Sequence, residues 1–362
     1  MTVISTLGEF GLIRHLTSDI KLQNPSSVCG VGDDCAVIDN ANRLTLVTSD
    51  LLLEGVHFDL TYVPLKHLGY KAAMVNLSDV YAMNGQPRQM VVSIGLSRRF
   101  SVEDVDQIYE GIKLACQHHN TDIVGGDTTS SLTGLTLSLT CVGEAQKDEV
   151  VYRSGAHDTD LICVSGDLGA AYMGLQLLER EKKVFEQMSQ QRANQSNPAD
   201  PNNPTDPNST DESFQPDFQG KEYLLERQLK PEARGDIIQR LKEAHIKPTA
   251  MIDISDGLSS ELLHICKQSH VGCEIYEERL PIDYQTSLQA QEFDLSPSTC
   301  ALNGGEDYEL LFTVALSDYE KVKEMEGIHI IGRIQKEEYG NILVAQGGAE
   351  YPLTAQGWQH LD

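Results

Sequence analysis

LTLVTSD at 44–50, LKHLGYKAAMVNLSDVYAM at 65–83 and MVVSIGLS at 90–97 read in turn as strand, helix and strand. In the outer two pieces apolar residues alternate with polar ones or run together, the pattern of a strand with one or both faces covered. In the middle piece they return at three- and four-residue steps, which lines them along one side of a helix. SVEDVDQIYEGIKLACQHH at 101–119 has the same helical spacing, with Ser101 and Asp104 placed as an N-cap and a first-turn acid. LTLSLTCVGEA at 135–145 goes back to period two, and DTDLICVSGDLG at 158–169 opens a second cycle of strand, Gly-rich turn and helix. The pattern implies an α/β (α+β) chain of two units, with the boundary near 150–158: residues 1–150 and residues 151–362.

One stretch falls outside this pattern. Residues 189–219 hold five of the 13 prolines and almost no aliphatic side chains. Such a segment buries too little apolar surface to offset its ordering entropy, so a disordered insertion between two helices is expected there.

Composition narrows the function. In 362 residues, 54 acids face 28 bases, for a formal charge of -26. A partner held through a phosphate backbone would be repelled over most of the surface, so nucleic acid is not expected. Small phosphate ligands carried by cations remain open, because carboxylates recruit Mg²⁺ and Mg²⁺ recruits phosphates. The eight cysteines show no C-x-x-C pair and no zinc spacing with histidine, which suggests reduced thiols in a cytoplasmic protein. No secretory leader is expected at the N-terminus, and no apolar run is long enough to span a membrane.

The common nucleotide signatures are missing. There is no G-x-x-x-x-G-K-[ST] loop, and the nearest dinucleotide fingerprint fails at Cys35. GDLGAA at 166–171 suits a phosphate cradle at a helix N-terminus, and a tight strand-to-helix turn explains its glycines equally well. What the chain does carry is a series of short acidic loops, most of them closing an apolar run. GDDCA holds Asp33 and Asp34, VTSD holds Asp50, and NLSD puts Asn76 and Asp79 on one helix face. GGDTT holds Asp127, IDISDG holds Asp253 and Asp256 around Ser255, and NGGEDYE holds Glu306 and Asp307. Any one of these is an ordinary turn or cap. Together, with Lys and Arg nearly absent beside them, they would repel strongly in one cleft unless cations joined them. Oxygen ligands without His or Cys suit Mg²⁺, and the chemistry that follows is metal-assisted phosphoryl transfer. Arg153, in VYRSGA, reads either as a surface arginine or as a phosphate clamp. His57 reads as structural, and Trp358 as a core anchor or a wall for a ring.

In order along the chain, GDDCA, TSD with His57 seven residues on, NLSD, GGDTT, RSGA, IDISDGL, GGEDYEL and GWQH resemble the thiamine-monophosphate kinase family. That family belongs to the superfamily of aminoimidazole ribonucleotide synthetase. The resemblance implies transfer of the γ-phosphoryl of ATP to thiamine monophosphate, with several Mg²⁺ ions and no covalent enzyme intermediate. It implies metal ligands at Asp34, Thr48, Ser49, Asp50, Asp79, Asp127, Asp253 and Asp256. It implies ATP contacts at Tyr109, Gly126, Asp127, Arg153 and Ser255, and acceptor contacts at His57, Glu306 and Trp358. Asp50, Asp127, Arg153 and Asp253 would carry the catalysis. The implied fold is a two-domain aminoimidazole ribonucleotide synthetase-like one. Its N-terminal domain contributes strands to a barrel-like core of a homodimer, and its C-terminal domain is α/β. The insertion at 183–220 departs from the usual pattern. So does the tail, where Trp358, Gln359, His360 and Leu361 replace an aromatic followed by Asp, His and Phe.

Sister enzymes of the superfamily also use ATP and acid-bound metals, chiefly the ring-closing synthetase of purine synthesis. The selenophosphate and hydrogenase-maturation members fit less well, because no Cys occurs in the first 28 residues and the chain ends His360, Leu361, Asp362. A non-catalytic ion-binding protein is the reading from another class, and ADP formation would separate it from the enzymes.

Overall fold

The computed structural model describes residues 25–29, 32–195 and 216–356. The first half runs β1 (Ser27–Cys29), β2 (Ala36–Asp39), β3 (Leu44–Leu53), α1 (Leu65–Ala82), β4 (Gln86–Leu96), α2 (Val102–His118), β5 (Asp122–Ser130) and β6 (Thr136–Ala145). The second half begins with β7 (Leu161–Ser165), α3 (Ala170–Gln195), α4 (Glu222–Leu229), α5 (Gly235–Glu243), β8 (Ala250–Asp253), α6 (Leu258–Ser269) and β9 (Val271–Tyr276). It closes with α7 (Tyr284–Glu292), α8 (Pro297–Asn303), β10 (Leu310–Val314), α9 (Tyr319–Val322), β11 (Ile328–Lys336), β12 (Asn341–Val344) and β13 (Glu350–Pro352).

The expected strands and helices are present, and Ser101 and Asp104 do form a reciprocal capping box at the start of α2. Helix α3 runs on to Gln195, into the stretch whose composition predicts disorder. Residues 196–215 and Trp358 lie outside the described residues.

Two sheets result. Six strands join in the order β1-β2-β3-β6-β4-β5, and seven in the order β13-β12-β9-β11-β7-β10-β8. Pairing is antiparallel except for β4 with β5 and β9 with β12. Alternation is strict in β6, where Leu137, Leu139 and Cys141 are buried and Thr136, Ser138 and Thr140 are not. In β7, β8 and β10 of the second sheet both strand faces are covered. Met251 and Phe312 join the core that surrounds α1, while their neighbours Ile252 and Leu311 join the core on the other side with Leu262 and Ile265. Helix α1 therefore sits between the two sheets and touches β3, β6 and β8. This explains why it is buried on almost every side and carries little amphipathic character. Its position lets one helix reach acidic loops from both halves of the chain.

Candidate active site

One turn, one helix and two strands bring carboxylates together. Asp34 stands in the turn between β1 and β2, Asp79 in the last turns of α1, and Asp253 at the end of β8. One oxygen from each lies within 4.8 Å of the others, close enough for a single cation. Thr48 and Asp50, on the α1-facing side of β3, complete the group: the Thr48 hydroxyl donates to Asp79 Oδ2. Ser78 Oγ donates to Asp253 Oδ2 at 2.6 Å. Asp50 Oδ2 is buried and accepts no hydrogen bond. An orphaned carboxylate oxygen beside three convergent carboxylates is what a hard cation would satisfy, so the residues fit the Mg²⁺ that the sequence implied.

The electrostatics agree. Burial, with Asp34 adding like charge, raises the Asp253 carboxyl to about 7. Burial raises Asp50 to about 6, and Asp79 goes well above the carboxylate range through burial, Asp50 and Asp253. Asp33, beside Asp34, is raised to about 7, again chiefly by burial.

Arg153 is no surface arginine. Its Nε and Nη2 grip the two Asp34 oxygens at 3.0 and 2.8 Å, and its backbone N–H donates to Asp33 at 3.2 Å. The cluster therefore holds one cation of its own, contributed by a residue far away in sequence.

Asp34, Thr48, Asp50, Asp79, Arg153 and Asp253 line a cavity of about 1100 Å³. Ser255 and Asp256 line it as well. Their loop is held by Glu261 in the first turn of α6, which accepts from the Asp256 N–H at 3.0 Å. His57, Tyr62, Lys71, Tyr172, Gln228 and Glu306 line the same cavity. His57 Nδ1 accepts from the Leu53 N–H at 3.0 Å, which leaves the proton of a neutral ring on Nε2.

Glu306 belongs to a loop laced to the Ser255 loop. The Glu306 N–H donates to Ser255 O at 2.7 Å and the Tyr308 N–H to Ile254 O at 2.9 Å. Both residues have left-handed backbone, with φ of 67° for Glu306 and 50° for Tyr308. Non-glycine residues in that region carry strain that only the surrounding structure sustains.

Other expectations separate from this cavity. Ser49 points to the opposite face of β3 from Thr48 and Asp50, where its hydroxyl meets Leu139 O and Thr140. Gly126 and Asp127 lie on β5, an exposed edge strand. The rung from Asp50 passes through Leu139 and Val92 to Gly126, three strand spacings or roughly 14 Å away. Gly126 is required there for a local reason: a Cβ would stand 1.8 Å from Val92 O. Tyr109, on α2, packs against the first core rather than the cavity.

The GDLGAA turn is a turn and not a free phosphate cradle. Asp307 occupies the N-terminus of α3, accepting from the Gly169 N–H at 2.7 Å and the Ala171 N–H at 3.4 Å. Gly169 has φ of 82° and packs against the backbone of Cys300 and Ala301. Asp307 is thus removed from any metal role. Sequence reading also missed Lys71, Gln228 and Glu261. The first two sit in helices with nothing to distinguish them from packing positions. Glu261 had a signal, an acid in the first turn directly after an S-D-G start.

The fold and the acid cluster define a class: residues 32–145 match the AIR synthase related proteins, N-terminal domain. Full-length likeness is narrower. A thiamine-monophosphate kinase of Aquifex aeolicus is 32% identical over 91% of this chain and 96% of its own length. One from Bacillus subtilis is 30% identical over 98% and 99%. The structure of AaThiL complexed with AMPPCP and TMP matches with a TM-score of 0.79 at 31% identity, over 99% of each chain. The chain belongs to the thiamine-monophosphate kinase family. Among the described residues no helix is long and apolar enough to cross a membrane.

Proposed function

We propose that this protein transfers the γ-phosphoryl group of ATP to the phosphate of thiamine monophosphate, giving thiamine diphosphate and ADP. The observation that carries this reading is a cavity lined both by the convergent carboxylates with Arg153 and by His57 and Glu306. An acceptor phosphate oxygen forms the new bond to the γ-phosphorus, and the bond to the bridging oxygen breaks onto ADP. The acceptor oxygen is already anionic, so no general base is needed, in keeping with catalysis by positioning and charge neutralisation.

Asp34, Thr48, Asp50, Asp79, Asp253 and Asp256 are proposed to hold Mg²⁺. Bound there, it supplies neutralisation of phosphate charge. Arg153, fixed by both Asp34 oxygens, presents a guanidinium with no freedom to relax away, which suits stabilisation of charge on the transferring group. Ser255 sits where it can meet ATP at the metal end. Tyr109, Gly126, Asp127, Ser49 and Trp358 are proposed as ATP, metal and acceptor contacts on the family motifs alone, the first four standing outside the lining of the cavity described above.

A homodimer is proposed as well. Support comes from the open edge of β5 and from apolar side chains such as Val28 and Leu51, which the six-stranded sheet leaves about half exposed. Residues 1–150 would then be the ATP-binding and dimerisation domain, and 151–362 the C-terminal one. The eight free thiols favour a reducing compartment, and the cytoplasm is the proposed location.

The test is coupled ADP release with Mg·ATP and thiamine monophosphate, thiamine or no acceptor. ADP is expected only with the monophosphate, matched by thiamine diphosphate on chromatography. ADP formed equally without acceptor, or none from folded protein, would overturn the reading.

A further inference from the structure

Lys71 is a lysine almost wholly withdrawn from solvent, at 6% exposure, on the cavity wall. It shares one face of α1 with Val75 and Asp79, at four-residue steps, and all three line the cavity. Along the axis Lys71 stands roughly 12 Å from Asp79, so its ammonium serves the end away from the acid cluster. There it pairs with Glu306 Oε1 at 2.7 Å and donates to Gln228 O at 3.1 Å. Gln228 Nε2 donates to the other Glu306 oxygen, Oε2, at 2.7 Å. Both carboxylate oxygens are thus gripped from behind, one from α1 and one from α4. The backbone of the same residue is pinned to Ser255.

A buried ion pair is weak ground for a stability role, because an apolar pair of similar volume often serves as well. What this pair does that an apolar one cannot is fix the direction of a carboxylate that faces the cavity. We infer that Lys71 and Gln228 are positioning residues for the phosphoryl acceptor: they set where Glu306 points, and through it the affinity for a cationic ring. This rests on the reading above, in which Glu306 meets the acceptor.

The test is steady-state kinetics of full-length Lys71→Met, Gln228→Ala and Glu306→Gln, with the double variant Lys71→Met/Glu306→Gln. Lys71→Met is expected to raise the acceptor KM about tenfold, with ATP KM and kcat changed by less than about threefold. Gln228→Ala is expected to move the acceptor KM in the same direction by less. The double variant should be no worse than Glu306→Gln alone, the signature of a residue acting through another. Lys71→Arg should recover part of the loss.

A fall in kcat with unchanged acceptor KM, an equal rise in ATP KM, or full additivity in the double variant would overturn the inference. Should Lys71→Met fail to fold, Gln228→Ala and its double with Glu306→Gln decide by the same criteria. If the unmodified protein forms no ADP with thiamine monophosphate, the reading of the reaction fails instead, before any variant is compared.

Discussion

Asp253→Asn is expected to lower phosphoryl transfer by about a thousandfold or more, while raising the melting temperature of the metal-free protein. The two effects have one cause. Asp253 is buried and shares a space of a few ångströms with Asp34 and Asp79. Two carboxylates at that separation repel by about 3–4 kcal/mol at an effective dielectric constant of 20, and Arg153, which grips Asp34 and also attracts Asp253, offsets part of this. Asparagine keeps the shape and can still accept from Ser78, but it removes one negative charge. The sign follows from the shift. The Asp253 carboxyl is raised in the folded state from its ordinary 3.8 to about 7. Folding therefore favours the protonated form, and stability is lost as pH rises through that window. Mg²⁺ competes with those protons, so its addition should raise the melting temperature of the unmodified protein, more at pH 8 than at pH 6. The variant should show a smaller response at both. Differential scanning fluorimetry across pH, with and without Mg²⁺, together with ADP release, reads all of this. A variant less stable than the parent without metal, yet equally stabilised by Mg²⁺, would remove Asp253 from the cation site.

Much of this site could be read before any coordinates. Asp79 and Asp253 lie there because a helix and a strand end at one region, and ends can be read from period and capping; Asp50 comes from inside β3, which runs on to Leu53. The alternation of β3 already puts Ser49 on the opposite face, since Thr48 and Asp50 cannot share a face with the residue between them. Strand order was hidden. Nothing local says that β6 inserts between β3 and β4, or that β5 pairs parallel at the far edge and carries Asp127 away from Asp50. Charge pairing was hidden for the same reason. Arg153 reaches Asp34, and Lys71 reaches Glu306, only after the two sheets close on α1. The acidic loop at Glu306 and Asp307 looked like one more metal candidate. In space it supplies a helix cap, a cavity-facing carboxylate and a buried ion-pair anchor.

That anchor gives the largest expected effect on stability. Glu309→Gln should destabilise the fold by about 3–5 kcal/mol, because it breaks a buried charge network without removing its cations. Glu309 is only 1% exposed. One of its oxygens accepts from Arg227 Nη1 at 3.0 Å, and the other from Arg234 and the Ser165 hydroxyl. An amide of the same shape can keep the first contact, but then turns its NH₂ toward two donors. Arg234 retains Asp236, which it meets twice at 2.9 Å. Arg227 has less to fall back on: the Asp167 carbonyl at 2.9 Å and Asp307 at 3.8 Å. A surface comparison shows what burial adds. Glu144, near the end of β6, meets Arg43 and Arg88, with all three side chains partly open to water. Glu144→Gln should cost about 1 kcal/mol or less. The backbone link from the Ile254 N–H to Glu309 O, at 2.8 Å, does not depend on the side chain. The loop that carries Ser255 and Asp256 should therefore keep its place while the protein stays folded, and ADP release at low temperature should be close to that of the parent. Urea melts and thermal scans of the two variants side by side give the comparison. Equal shifts for Glu309→Gln and Glu144→Gln would mean that the buried network contributes no more than a surface pair.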